Sequence, residues 1–405
     1  MNLSSTYPSQ KLSLTPSEDP NGDIGVAHPP QVGTRRLELD FLRGVALLVV
    51  LVDHIEARGG VKLISAWTPI SLGFSDGAEA FVFLSGVVFG LVGFRRLERN
   101  GFLFVQKSAL WRALLIYVTF LFATWAVLLV AMLFGASSAS LTRLIDLGDG
   151  VLLPWLWSFT LCFQPYCLEI LAFYVVLMPF ATVLLWLYDR YWQLACLLSL
   201  GAYMAARNFN WVELPRFPWG DREWYFNPFA WQFVFFLGLV ASRIDFKTAG
   251  SRLARFLAII FAIAVLAWGL RVQWSTSPLP ELEFLGEGIQ EWLGDWREKT
   301  RPHPLRIVHF LCLAYLLAIL LPGPTAKFWK SVWAAPIVKA GQHSLQVYAL
   351  GVVAMYLCFP LLDAFRGNSE LVLFVAMDCC LVSIGFAYFV AWIKSPRRIM
   401  PQSTI

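Results

Sequence analysis

Charged residues are scarce in this sequence. Asp, Glu, Lys and Arg make up 15% of it, against roughly 25% in a soluble domain. So few charges cannot cover a water-facing surface, which excludes an ordinary soluble globular chain. Cysteines at redox or zinc spacing are missing too. Cys162, Cys167, Cys196, Cys312, Cys358, Cys379 and Cys380 form no CxxC pair and no Cys/His ligand pattern, so no metal site is expected. Most fall in apolar runs and read as small buried side chains. The opening residues lack the basic region and short apolar core of a secretory signal, so cleavage is not expected. No basic segment interleaved with aromatics is present, which leaves nucleic acid out as a partner. No internal repeat is evident, and a carrier built from related half-sites would need one.

What remains is apolar: 58% of the residues are hydrophobic. Runs near the roughly 20 residues that cross a bilayer recur along the chain. They predict an all-α polytopic membrane protein of about ten transmembrane helices. The segments are 39–57, 76–94, 111–134, 166–188, 191–206, 226–243, 253–271, 305–322, 340–362 and 370–393. Segment 151–163 is apolar but short, as an interfacial or re-entrant piece would be. Residues 1–34 are rich in Ser, Pro, Asn and Gly and read as a disordered cytoplasmic tail. A membrane domain is expected over 35–395, with a second cytoplasmic tail over 396–405.

Basic residues collect on alternate loops. Arg95, Arg96, Arg99 and Lys107 fall on the side of Arg35 and Arg36, as do Arg243, Lys247, Arg252, Arg255, Lys327, Lys330, Lys394, Arg397 and Arg398. The acidic loop 272–304 falls on the other. The positive-inside rule then places both termini in the cytoplasm, with an even number of spans.

Ionisable groups inside apolar segments are costly and mark sites by default. The first segment carries Asp40 and Arg43 near one end, and Asp53 and His54 near the other. Arg43 and His54 are eleven residues apart, about three helical turns and roughly 16 Å, so they share a face. That face is expected to line one cavity bridging both sides of the membrane. His54 is the candidate general base, because an imidazole can take a hydroxyl proton near neutral pH. Asp53 lies about 100° away around the helix. Asp76 and Glu79, spaced i, i+3 at the start of the second segment, are better placed to orient the imidazole; the same spacing equally fits a capping box. Gly86, Gly90 and Gly93 have the small-residue spacing of close helix packing. Further polar residues are Gln164, Glu169, Trp224, Asn227, Arg306, His309, Gln342 and His343. They form two polar layers, one towards each side.

Several blocks, in order along the chain, carry a resemblance. They are LDFLRG from Leu39, Asp53-His54, GFSDGAEAFVFLSGVVFG from Gly73, Gln164-Pro165 with LEIL from Leu168, NPFAWQ from Asn227, and GQHSL from Gly341. Together they resemble the OpgC (MdoC) family within the wider membrane acyltransferase-3 group, whose Arg…His pair maps onto Arg43 and His54. Val87 departs from the Tyr often found there. The resemblance implies ten transmembrane helices in a bacterial inner membrane. It also implies O-succinylation of osmoregulated periplasmic glucans, with succinyl-CoA or another acyl-CoA as donor and no permanently bound cofactor. On this reading Arg43, Arg95, Arg96, Arg112, Gln342 and His343 bind acyl-CoA. His54, Asp53, Asp76 and Glu79 form the catalytic group. Glu169, Trp224, Asn227, Arg306 and His309 meet the acceptor or acyl group, with Arg306 on the succinyl carboxylate. Expected partners are acyl-CoA, a glucan or other glycan, and membrane lipid. Two other functions remain open: a transporter or flippase for a sugar or lipid-linked sugar, and an O-acetyltransferase acting on another glycan.

Overall fold

The computed structural model describes residues 35–134, 152–217, 223–274, 298–323 and 326–395. The expected tails over 1–34 and 396–405 lie outside these residues. The described chain is all-α, with no strand among the described residues.

Helix α1 spans Leu37–Gly59. Glu38 and Asp40 in its first turn and Arg58 in its last suit the helix dipole. Gly60 ends it in the left-handed region, at φ 73°, and returns its N–H to the Glu56 carbonyl. A short α2, Pro69–Leu72, leads to α3, Gly77–Phe134. At 58 residues α3 would be about 87 Å long if straight. It breaks at Gly101 (φ 79°), giving two arms over 77–100 and 102–134. Then follow α4 (Leu152–Ser158), α5 (Glu169–Arg190), α6 (Trp192–Asn208) and α7 (Pro228–Ala241). The rest are α8 (Arg252–Trp274), α9 (Pro304–Leu320), α10 (Ala334–Gln342), α11 (Ser344–Ala364) and α12 (Ser369–Lys394).

Each apolar segment read from the sequence falls mainly on a helix. Crossing capacity is more restricted. Among the described residues α3, α5, α8, α11 and α12 can cross a membrane by length and composition, five helices rather than the ten expected. The shortfall has physical causes. Two expected segments share the broken α3. Helices α6, α7 and α9 have 17, 14 and 17 residues. Helix α1 is 23 residues long but carries Glu38, Asp40, Arg43, Asp53, Glu56 and Arg58. The apolar helices nonetheless make this a polytopic membrane protein. Large apolar side chains such as Phe256, Ile260, Phe261 and Ile263 on α8 are exposed, as lipid-facing residues would be. Segment 151–163 contributes α4, whose Trp155 stacks on Trp125 of α3.

Helix α3 is the centre of the bundle, packed against α5, α7, α1 and α11. Its glycines permit this. A Cβ on Gly86 would stand 2.0 Å from the Phe235 carbonyl oxygen of α7, and one on Gly238 of α7 would stand 2.1 Å from that of Phe83. Gly90 likewise faces Ser242 and Gly93 faces Leu185, so the glycine spacing serves close packing. The tightest crossing joins α10 to α1: a Cβ on Gly341 would lie 1.7 Å from the Asp40 carbonyl oxygen. Gly341→Val should therefore force the two helices apart and remove most monodisperse protein from a detergent extract. Gly201→Ala, where nothing lies within 4 Å, should match wild type in the same chromatographic assay.

Candidate active site

Helix α1 carries polar side chains into two cavities, one near each end. The larger, about 870 Å3, is a vestibule lined by Arg43 of α1, Arg96, Lys107 and Arg112 of α3, and Lys394 of α12. No acidic side chain lines it among the described residues. Ser344, Gln342, Gln346, Ser85 and Trp111 also line it, as do Phe81, Tyr174 and Tyr348. Arg43 donates from Nη2 to Ser344 Oγ at 2.7 Å and lies 6.0 Å from the Phe81 ring centre. The volume falls in the range of roughly 300–1,000 Å3 usual for ligand pockets.

The second cavity is a small chamber of about 60 Å3, room for a few waters. Asp53 and His54 enter it from α1, Asp76 from the loop before α3, and Glu169 from α5. Tyr166, Cys167, Tyr225, Trp231 and Lys299 line it as well. His54 Nδ1 lies 2.7 Å from the Val50 carbonyl oxygen. A carbonyl only accepts, so Nδ1 carries the proton, and in the neutral ring Nε2 keeps its lone pair. This is the tautomer a general base needs. The orienting partner is therefore α1's own backbone, not the carboxylates of Asp76 or Glu79. Asp53 accepts from Thr68 Oγ1 at 2.7 Å.

Asp76 and Glu79 have another occupation. Asp76 Oδ1 accepts from the Ala78 N–H, and Glu79 Oε2 from the Asp76 N–H, both at 2.8 Å. That is capping-box geometry. Their remaining oxygens bind Arg306 of α9, whose Nε donates to Glu79 Oε1 at 2.7 Å and whose Nη2 reaches Asp76 Oδ2 at 3.2 Å. Arg306 is thus engaged by two carboxylates and does not line the chamber. The cation that does is Lys299, with Nζ 2.5 Å from Asp76 Oδ2. Burial opposes the Lys299 charge, but Asp76 outweighs it and raises the ammonium pKa to about 12. Burial likewise opposes the Asp76 charge, and Lys299 and Arg306 together hold that carboxyl well below its usual range.

Lys299 hangs from a strap, residues 298–303, fastened over the chamber. Trp231 Nε1 donates to the Lys299 carbonyl at 2.8 Å, and Tyr203 Oη to that of Pro302 at 2.7 Å. Arg301 reaches Asn210 Oδ1 and Glu223 Oε1, each at 2.7 Å. The opposite wall is a bend at Cys167, a non-glycine residue at φ 68°. Such a backbone persists only where its surroundings fix it. Here the Cys167 N–H donates to Glu169 Oε2 at 2.9 Å, and its carbonyl accepts from Tyr348 Oη.

Not every residue read from the sequence reaches a cavity. Arg43, Arg96, Arg112 and Gln342 line the vestibule. Arg95 lies in a separate groove with Arg190 and Arg243, and His343 sits at the junction of α10 and α11. In the acceptor group Glu169 lines the chamber, beside Arg216 at 3.3 Å. Trp224 instead donates to the Pro215 carbonyl, Asn227 caps α7, and His309 pairs with Ser75 Oγ. Sequence reasoning missed Lys299, Tyr166 and Tyr348 as site residues, and took Lys107 and Lys394 only as orientation signals. Tyr348 is one helical turn from Ser344, a spacing that signals a shared face. Among the described residues no group of three or more His, Cys, Asp or Glu side chains could hold a metal ion.

The single cavity expected from the Arg43–His54 face is not present. Arg43 lines the vestibule and His54 the chamber, so the two open onto separate spaces. The reason is an aromatic pair between them: the rings of Phe81 and Tyr348 stack with centres 6.1 Å apart and planes 22° apart.

No curated protein and no solved structure matches the chain. The sequence pattern of the family described as OpgC protein matches residues 35–395, nearly all of the chain and every residue of both cavities. The chain belongs to the OpgC protein family.

Proposed function

We propose that this protein is a membrane O-acyltransferase that moves a succinyl group from cytoplasmic succinyl-CoA to hydroxyls of a periplasmic glucan. One observation carries the reading: a vestibule with, among the described residues, five cationic and no acidic lining side chains lies against a chamber holding a base-competent histidine. CoA carries phosphates and a long neutral arm. Arg96, Lys107, Arg112 and Lys394 suit the phosphates, since charge-assisted bonds to phosphate are among the strong ones. The arm extends past Arg43 towards the chamber. His54 Nε2 takes the proton of a sugar hydroxyl, and the oxygen attacks the thioester carbonyl. The C–S bond breaks, and the CoA thiolate leaves and receives a proton. Tyr166, Tyr225 and Trp231 offer aromatic faces to a sugar ring, and Asp53 and Glu169 offer acceptors to its hydroxyls. On this reading both termini are cytoplasmic.

The test is mass spectrometry of periplasmic glucans from cells with and without the gene. Loss of succinyl-sized mass increments without the gene is the expected result. Unchanged glucans would overturn the assignment of this acceptor.

A further inference from the structure

Among the described residues, Phe81 and Tyr348 alone line both the vestibule and the chamber. We infer that this stacked pair is the aperture through which the acyl end of the donor passes, and that it selects acyl groups by size and, when closed, keeps the thioester from the base in the chamber. The inference rests on the acyltransferase reading above and names the specificity determinant of that site.

The direction of threading follows from charge. The polyanionic end of CoA is held by the cations of the vestibule, so the acyl group is the leading end. It must clear both rings before the thioester reaches His54. A short acyl group needs only a small displacement of one ring, whereas each added methylene must be housed beyond the wall in a chamber of about 60 Å3. Discrimination in such a place is steric.

The two rings are anchored differently. Phe81 is buried, with Tyr174 edge-on at 5.8 Å and the Arg43 guanidinium at 6.0 Å. Tyr348 is half-buried, and the hydroxyl at the tip of its ring donates to the Cys167 carbonyl. Swinging Tyr348 aside breaks that bond and leaves Phe81 in place, so Tyr348 is the moving half and Phe81 the fixed jamb. When closed, the pair keeps a thioester waiting in the vestibule away from His54 and the chamber water it can activate. Opened without an acceptor, it admits hydrolysis: water adds to the thioester carbonyl, the C–S bond breaks, and free acid and CoA thiol result.

The experiment uses the purified full chain in proteoliposomes, with acetyl-, succinyl-, glutaryl-, hexanoyl- and octanoyl-CoA as donors. Thiol release is read with and without glucan, and acyl transfer by glucan mass. Phe81→Ala should raise acceptor-free thiol release on the order of tenfold and improve use of the longer donors relative to succinyl-CoA by a similar factor. Phe81→Leu, a milder change, should move both in the same direction, and Phe81→Trp should reject the longer donors more strongly. Tyr348→Phe keeps the ring and loses the hydroxyl, so thiol release should rise while the chain-length profile stays. A wild-type chain-length profile in Phe81→Leu together with unchanged thiol release in Tyr348→Phe overturns the inference while the acyltransferase reading stands. A wild-type protein that neither transfers nor hydrolyses any of these donors overturns the reading itself, and the inference with it.

Discussion

His54→Ala should reduce acyl transfer about 10²–10⁴-fold, the usual contribution of a general base, while the protein remains folded in the membrane. The size follows from what the side chain does. Its Nδ1 proton is committed to the Val50 carbonyl, which leaves Nε2 to accept the hydroxyl proton. Alanine removes the acceptor, and the backbone carbonyl that loses its partner is already a member of the α1 hydrogen-bond ladder. The loss should fall on kcat, with KM for succinyl-CoA little changed, because every cation of the vestibule is untouched. Purified variant assayed across succinyl-CoA concentrations separates the two parameters. Transfer at the wild-type rate would remove His54 from the chemistry. A large rise in KM with unchanged kcat would make it a donor-binding residue instead.

The depths of His54 and Arg43 were legible because they depend on one helix, but the single cavity expected of their shared face was not borne out. Eleven residues in an unbroken α1 put the two groups at different depths on one face, and each reaches a cavity. The basic vestibule was partly legible for a similar reason: Arg96 and Arg112 flank the break at Gly101 in α3. Lys107, in the same run, was read only as a signal of orientation. The wall was hidden. Phe81 and Tyr348 are aromatic residues in apolar helices, and nothing local separates a ring that closes a passage from one that fills a core. Lys299 was hidden by distance along the chain, since Asp76, its partner, precedes it by more than two hundred residues. Glu79 and Asp76 show both limits. Their i, i+3 spacing fitted both an orienting role and the capping box that forms, and gave no sign of the arginine on α9 that takes up their remaining oxygens.

That arginine carries the largest expected effect on stability. Arg306→Met should destabilise the protein by about 3–5 kcal/mol, the cost of leaving a buried carboxylate without its partner. Glu79 is fully buried, and its Oε1 has Arg306 as its ion-pair partner. Asp76 would keep Lys299, so the deficit falls mainly on Glu79. The double variant Arg306→Met/Glu79→Met removes both charges and should recover most of the loss, as apolar replacements of buried pairs often do. Arg306→Lys should recover little, because one ammonium cannot reproduce the Nε and Nη2 geometry that joins two carboxylates. Thermal unfolding in detergent measures all three. If the double variant is no more stable than the single, the loss does not come from an unpartnered Glu79. The same double variant also separates two roles for the arginine. An Arg306 that recognised the succinyl carboxylate would lose discrimination between succinyl- and acetyl-CoA on removal. An Arg306 that locks α9 to the start of α3 would leave that ratio intact in the recovered double variant. Its engagement by Asp76 and Glu79, and its absence from the chamber lining, predict the second outcome.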